Sequence, residues 1–372
     1  MKQIKNVLLL FGGISTEHTV SCRSSVTIYK GLVNLGYNVS VVGISLDGEW
    51  IPYLANIEDI LYDNWVEIAK AALENADFPR VEAKDITSPK AFFTYKAGGV
   101  EPDLVYIGMH GINSEDGAIQ GFLELAGVPY IGAPILSSAL CMDKIYTKLV
   151  LNNTDIPQLD FVVANRKDIA ENINKLMDKI ESRLAYPVFI KPSNGGSSVG
   201  TFKAKDRNDL ENKLNEAIVY DQKLLIEPFY AAREIEVACL GNLNARTALP
   251  GEIVKSKDVE YYDYETKYIT DSASLAMPAK IKPETVEKLQ SYARKVYKIL
   301  EVQGLARIDF FVSEDEREIY FNEINNLPGF TSISLFPQAW QSAGMTLEEI
   351  LQEICELALE RFEMNKRKID LS

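Results

Sequence analysis

The chain has 372 residues, 47% hydrophobic and 25% charged, which is the balance of a globular protein too long for one ordinary core. Its formal charge of −14, from 39 basic and 53 acidic residues with no basic tract, argues against nucleic acid or an anionic membrane as partner, so an anionic ligand must be held by a local cluster of cations. No apolar run reaches transmembrane length, two histidines argue against a zinc site, and Cys22, Cys141, Cys239 and Cys355 are scattered like reduced thiols of a cytoplasmic protein.

In chain order, the first third alternates strand and helix. The apolar run 7–11 meets Gly12-Gly13, and Ser15, Thr16 and Glu17 then open a helix reaching about residue 35. Strands over 38–44 and 104–109, a helix over 118–126 and a strand over 129–131 extend the pattern to a parallel, doubly wound sheet, while 51–96 is mixed. A helix is expected over 136–152, followed by strands over 187–190, 223–226 and 235–240 with helices and a Gly/Ser-rich hairpin between them. The last section reads as a long helix over 283–301, strands over 305–312 and 319–325, and a helix over 347–362; 365–372 reads as a frayed tail, and no internal repeat is present.

The strands 305–312 and 319–325 flank a polar run, 313–318, and so form a hairpin. With its turn near Glu316, Asp309 falls opposite Glu323 and Arg307 opposite Asn325, all on one face. Facing carboxylates destabilise a ladder unless a cation lies between them, and Mg²⁺ takes such oxygen ligands together with water and phosphate oxygens. The segment from Lys191 to Gly200, KPSNGGSSVG, puts a lysine at the end of an apolar strand before a loop of glycines and serines. Backbone N–H groups, hydroxyls and an ammonium together suit a phosphate. Lys144 stands early on a helix. The strand ending at Glu227-Pro228 must stop, since Pro cannot continue a ladder, which leaves backbone groups for a planar base and Glu234 within reach of ribose hydroxyls.

A lysine, a glycine-rich loop, a glutamate-ended hinge strand and a late Asp…Glu-x-Asn set, in this order, resemble the ATP-grasp enzymes. The finer motifs resemble the D-alanine–D-alanine ligase family: GGISTEHTVS from Gly12, HGINSEDG from His110, MDK from Met142, KPSNGGSSVG from Lys191, YYDYETKY from Tyr261, ARID from Ala306 and NEINNLPGFTS from Asn322. Ser114 and Asn326 depart from the family's usual Gly and its usual Thr or Ser. The resemblance implies an α/β protein, an ATP-grasp fold preceded by a doubly wound Rossmann-like N-terminal domain. Its parts would be an N-terminal substrate domain over 1–134, a central ATP-grasp subdomain over 135–230 and a C-terminal domain with the metal and substrate site over 231–372.

It further implies that ATP phosphates meet Lys144 and Lys191, that Glu227, Phe229 and Tyr230 hold adenine, and that Glu234 takes the ribose. Asp309, Glu323 and Asn325 would hold two Mg²⁺, with Mn²⁺ able to substitute. Glu17 would accept the ammonium of the first D-alanine and link through Ser197 to Tyr268, and His110 would orient that substrate. Arg307 and the Gly329 N–H would stabilise an oxyanion, while Lys267, Ser334 and Leu335 would clamp the second D-alanine. The implied reaction joins two D-alanines through an acyl phosphate for peptidoglycan synthesis, in a cytoplasmic homodimer. Tyr268 favours an amine over D-lactate as second substrate, and D-serine remains an alternative. Residues 261–274 are expected to form a lid. A regulatory module that only binds nucleotide is disfavoured by the intact Arg307, Asp309, Glu323 and Asn325, and a dinucleotide oxidoreductase by the missing third glycine after the first strand.

Overall fold

A computed structural model describes residues 4–79, 84, 86–255, 273–331 and 333–367. Strand β1 (Asn6–Gly12) leads through the glycine turn into helix α1 (His18–Asn34), β2 (Asn38–Ile44) and β3 (Trp50–Pro52). A short 3₁₀ turn, α2 (Trp65–Glu74), α3 (Pro89–Lys96) and β4 (Leu104–Ile107) follow. The sheet order is β3-β2-β1-β4, with β1 parallel to β2 and β4 and with β3 an antiparallel edge. Leu8, Leu9, Leu10 and Phe11 have no exposed surface, as expected of a strand covered on both faces. Gly12 turns with φ +83°, and a Cβ there would lie 2.3 Å from the Ile44 carbonyl, so the close β1–β2 approach needs glycine. The last helix, Leu347–Met364, packs back onto α1 and β4.

Helix α4 (Ala118–Ala126) lies where expected, but the expected strand over 129–131 is reduced to a single parallel bridge, Val105 to Tyr130. The Pro129 carbonyl accepts the Val105 N–H, but the buried Arg361 guanidinium from the last helix takes the carbonyls of Tyr130 and Gly132, so the ladder stops at that bridge. The helix expected over 136–152 is two helices, α5 (Ile135–Met142) and α6 (Lys144–Leu151). Asp143 between them has extended backbone (φ −85°, ψ 96°), caps α6 by accepting the Tyr146 N–H at 3.1 Å, and bridges to Asn194.

The second sheet is antiparallel, in the order β5-β8-β6-β7: β5 (Val162–Asn165), β8 (Lys223–Pro228), β6 (Val188–Pro192) and β7 (Phe202–Ala204). Helices α7 (Arg166–Glu181) and α8 (Arg207–Ala217) bury Ile169, Leu176, Ile180, Leu210 and Leu214 against it. The third sheet runs β12-β11-β9-β13-β14, with β10 (Arg246–Thr247) beside β9. Its strands are β9 (Arg233–Gly241), β11 (Gly251–Lys255), β12 (Ala273–Ala276), β13 (Gly304–Val312) and β14 (Ile319–Asn325).

Alternation along β9 and β13 divides this sheet. Ile235, Val237, Ala306, Ile308 and Phe310 join one core with Leu289, Ala293 and Val296 of the helix Pro283–Ile299. The intervening positions, Glu234, Glu236, Arg307 and Asp309, therefore share the opposite face. Of the expected lid over 261–274, residues 273 and 274 instead belong to β12, paired with Lys255 and Val254, because that end completes the sheet edge. Tyr261, Lys267, Tyr268 and the rest of that expectation lie outside the described residues. All four cysteines are buried and unpaired, and among the described residues no helix is long and apolar enough to cross a membrane.

Candidate active site

The hairpin forms in the expected register: Arg307 faces Asn325 and Asp309 faces Glu323. The register then shifts so that Phe310 faces Phe321, leaving Asn322 as the extra residue of a bulge. The facing carboxylates each have a protein cation. Arg307 Nε and Nη2 donate to the two oxygens of Asp309 at 2.9 and 2.7 Å, and Arg307 Nε lies 3.1 Å from Glu236. Lys144 Nζ lies 3.2 Å from Glu323 and donates to the Gly195 carbonyl at 2.6 Å. Asn325 Nδ2 donates to Asp309 at 3.1 Å. Burial works against the charge on Arg307, yet Asp309 and Glu236 outweigh it and hold the guanidinium protonated well beyond its ordinary range.

The break at Asp143 places Lys144. The Asp143 carboxylate accepts from Ser193 Oγ at 2.5 Å and pairs with Lys223, while the Lys144 N–H donates to the Ser193 carbonyl at 2.9 Å. Burial would raise this carboxyl, but Lys223 and Ser193 bring it below its ordinary value. Asp143→Ala is expected to lower stability by about 2 kcal/mol, since a cap and a charge-assisted bond are lost together, and to weaken ATP binding. Urea unfolding and ATP titration check this; unchanged values in both would mean that the break does not depend on the side chain.

Lys191 lies one residue from the end of β6, and its Nζ reaches Glu227 of β8 at 2.9 Å and Asn322 at 3.3 Å. The other Glu227 oxygen lies 2.7 Å from Lys148 Nζ, a lysine 1% exposed on α6. Burial alone would raise the Glu227 carboxyl, but the two ammonium groups hold it at about 2. The lysines move oppositely: burial prevails at Lys148 and lowers its pKa, whereas at Lys191 the carboxylates prevail over burial and raise it. After β8 ends, Phe229 packs 5.7 Å from Phe189 beneath Lys203, and Tyr230 donates to Glu318 at 2.6 Å. Phe189, Glu227, Phe229 and Tyr230, with Lys144, Lys191 and Glu234, line a cavity of about 380 Å³ between the second and third sheets.

A smaller, polar cavity of about 120 Å³ adjoins it, and Ser197, Glu236 and Glu323 line both. Glu17, at the start of α1, accepts from Ser197 Oγ at 2.6 Å. A Cβ on Gly196 would stand 2.3 Å from Glu17 Oε2, so glycine admits this approach, and Ser197 and Ser198 are both left-handed, with φ of 51° and 58°. Gly329, Ser334 and Leu335, the last opening the helix Leu335–Ser342, line the far side. His110 also lines the cavity, but its Nδ1 lies 3.0 Å from the Leu327 carbonyl and its Nε2 3.0 Å from Ser24 Oγ.

Like Glu236, Glu115 is a buried acid of this cavity, and sequence reasoning assigned it no role. It accepts the Gly111 N–H at 2.9 Å, and burial, then Glu17, pushes its carboxyl up to about 8. A folded pKa above the unfolded 4.5 destabilises the fold as pH rises through that interval, because the native state must keep the proton. Glu115→Gln, which imitates the protonated acid, should therefore gain stability over wild type as pH rises from about 5 to 8, by up to a few kcal/mol, since each tenfold change in proton affinity corresponds to about 1.4 kcal/mol. Urea unfolding across that range checks it, and a difference that stays flat would place an ionised carboxylate there.

Lys148, Glu236 and Ser24 were likewise unassigned. Their available signals were the four-residue spacing of Lys148 from Lys144, and the alternation that puts Glu236 on the face of Glu234.

A nucleotide-sized cleft between an antiparallel lid sheet and a larger sheet that carries facing carboxylates and an arginine is the architecture of the ATP-grasp enzymes. Family models described as D-ala D-ala ligase N-terminus and C-terminus match residues 6–133 and 150–356, and the chain belongs to the D-alanine–D-alanine ligase family, whose members are ATP-dependent ligases. It is 43% identical to the D-alanine–D-alanine ligase of Acetivibrio thermocellus, over 98% of this chain and 99% of that one. The enzyme of the same name from Enterococcus faecalis is 40% identical, over 96% and 99%. Among solved structures, the D-alanine–D-alanine ligase of Coxiella burnetii superposes with a TM-score of 0.78 at 31% identity, covering 98% and 96%. The VanG D-Ala:D-Ser ligase of Enterococcus faecalis gives 0.81 at 32%, covering 96% and 100%.

Proposed function

We propose that this chain joins two molecules of D-alanine into D-alanyl-D-alanine, converting ATP to ADP and phosphate, and so supplies a peptidoglycan precursor. The observation that carries the reading is the meeting of the two cavities at Glu323, Ser197 and Glu236, with Arg307 and Asp309 beside them. A phosphoryl donor in the larger cavity and a small zwitterion in the polar one would have their reacting ends together there.

Lys144 and Lys191 meet the phosphates, Glu227, Phe229 and Tyr230 face adenine, and Glu234 takes the ribose. Glu17, held by Ser197, accepts the first D-alanine's ammonium, and Arg307 aligns its carboxylate. The γ-phosphoryl group passes to that carboxylate, giving an acyl phosphate. The second D-alanine is held by its carboxylate at Ser334, Leu335 and Lys267, where a helix N-terminus favours an anion. Its amine attacks the acyl carbon, Arg307 and the Gly329 N–H receive the oxyanion charge, and phosphate leaves.

Asp309 and Glu323 offer carboxylate oxygens and Asn325 an amide oxygen on one face, and oxygen ligands of this kind suit hard divalent cations, which would share the carboxylates with Arg307 and Lys144. These three residues would hold two Mg²⁺, with Mn²⁺ as a substitute, and the ions would offset charge on the phosphate oxygens. Tyr268 completes the Glu17–Ser197 link by resemblance. The same resemblance supports a cytoplasmic homodimer and three parts over 1–134, 135–230 and 231–372, and the break between the family matches, 133 to 150, favours the first boundary.

Phosphate release with ATP and Mg²⁺ tests the reading when D-alanine, D-serine and D-lactate are supplied in turn and the products are weighed. D-Alanyl-D-alanine is the expected product. Phosphate release that ignores D-alanine would remove the reading, and a preference for D-serine beside D-alanine would reassign the second substrate.

A further inference from the structure

We propose that Ser24, together with His110, is a positioning residue that fixes the Gly329 N–H, an inference that rests on Gly329 receiving the oxyanion as read above. Ser24 lies on α1 without exposed surface, and its Oγ accepts the Phe330 N–H at 3.2 Å across 306 residues of chain. The same Oγ is 3.0 Å from His110 Nε2, and His110 Nδ1 is 3.0 Å from the Leu327 carbonyl.

The proton positions follow from chemistry. A carbonyl only accepts, so Nδ1 must carry the ring proton; Nε2 is then the acceptor, and the Ser24 hydroxyl must donate its one proton to it. Burial favours the neutral ring that this arrangement requires. The chain of bonds thus leaves the backbone at Phe330, crosses Ser24 and His110, and returns at Leu327. Between those anchors lie Pro328, which has no N–H, and Gly329, so the Gly329 N–H is the one backbone donor the brace leaves for a substrate.

Neighbouring bonds tighten the same loop. Asn326 Nδ2 donates to the Glu115 carbonyl at 3.1 Å, and the Thr331 N–H donates to Ser334 Oγ at 3.0 Å. Neither needs Ser24, so its loss should loosen residues 327–330 without freeing the whole connection.

The test compares wild type with Ser24→Ala, Ser24→Cys and Ser24→Thr in D-alanine-dependent phosphate release. It also measures the KM for ATP, the melting temperature, and the affinity for a phosphinic acid analogue of the dipeptide, whose tetrahedral phosphorus stands in for the tetrahedral carbon. Ser24→Ala should lower kcat about ten- to a hundredfold, with the KM for ATP within about twofold of wild type. Affinity for the analogue should fall in proportion to kcat/KM for D-alanine. Ser24→Thr keeps the hydroxyl and should recover most of kcat. Ser24→Cys keeps the size with a poor hydrogen-bonding group, should resemble Ser24→Ala, and decides the matter if the alanine variant does not fold.

Wild-type kcat in Ser24→Ala or Ser24→Cys overturns the proposal. So does a parallel loss of kcat and ATP affinity, which marks general damage to the fold. If wild type itself shows no D-alanine-dependent phosphate release, the functional reading falls and takes this inference with it; normal wild-type turnover with an unaffected Ser24→Ala removes the brace alone.

Discussion

Glu323→Gln is expected to lower ATP-dependent dipeptide formation by more than about a hundredfold while leaving the protein folded. The carboxylate lies where the two cavities meet, opposite Asp309 and 3.2 Å from Lys144 Nζ. Glutamine keeps the length and shape but withdraws one negative charge, so cations that should gather around the transferring phosphoryl group lose a ligand charge. The fold should hold because Glu323 keeps about a quarter of its side-chain surface and sits on the polar face of β14, away from the apolar layer of Phe310 and Phe321. Rates of phosphate release and dipeptide formation, read beside a melting curve, check this. Turnover within a few fold of wild type at an unchanged melting temperature would remove Glu323 from phosphoryl transfer.

The same glutamate shows why part of the site could be read from residues alone. A turn near Glu316 gives the Arg307–Asn325 and Asp309–Glu323 pairs and the shared face, but the pairs next to the turn, Phe310–Phe321 to Val312–Ile319, run one residue off, and the bulge at Asn322 that reconciles the two was not legible in the spacing. The protein cations that pair with those carboxylates did not follow. Arg307 and Lys144 lie against them besides the Mg²⁺ that was expected there, and Lys144 arrives from a helix whose break at Asp143 carries no Gly or Pro to announce it. That break is set by tertiary partners, Ser193, Asn194 and Lys223, on a different sheet.

Long-range partners also explain the other differences. The segment 129–131 has strand-like residues, but the carbonyls of Tyr130 and of Gly132 just beyond it are taken by Arg361, more than two hundred residues later. His110 stands in a recognisable motif and lines the polar cavity, but nothing nearby in sequence indicates that Ser24 and Leu327 engage both its nitrogens. Glu115 belongs to the same motif, and only its burial beside Glu17 gives it an altered acidity. Local periodicity thus made the elements and one ladder legible, while charge balance depended on which elements the fold brings together.

Glu227→Gln should be the most destabilising single change in this cleft, by about 3–5 kcal/mol near neutral pH, because it strands the buried Lys148 ammonium without its counter-charge. Lys148 is 1% exposed and 2.7 Å from Glu227, whereas Lys191 retains Asn322 and a partly exposed side chain. The deficit should close at both ends of the pH range. In wild type the Glu227 carboxyl titrates at about 2 rather than 4.5, so its contribution is present above 4.5 and is lost as pH falls through the lower value. Below that point the protonated glutamic acid resembles the glutamine that replaces it. At the alkaline end, burial already lowers the Lys148 pKa from 10.5, and loss of Glu227 lowers it further. Between the lowered value and 10.5 the unfolded chain binds more protons than the folded one, so the variant gains stability as pH rises through that window. Adding Lys148→Met to Glu227→Gln should recover much of the loss at pH 7, since an apolar side chain among Phe161 and Phe321 needs no counter-charge. Urea unfolding of the two variants and wild type from pH 3 to 10 measures the recovery at pH 7 and the narrowing of the deficit toward both ends. A deficit that is constant across pH, or a double variant no more stable than Glu227→Gln, would mean that Glu227 acts through packing rather than by balancing the buried Lys148 ammonium and its neighbour Lys191.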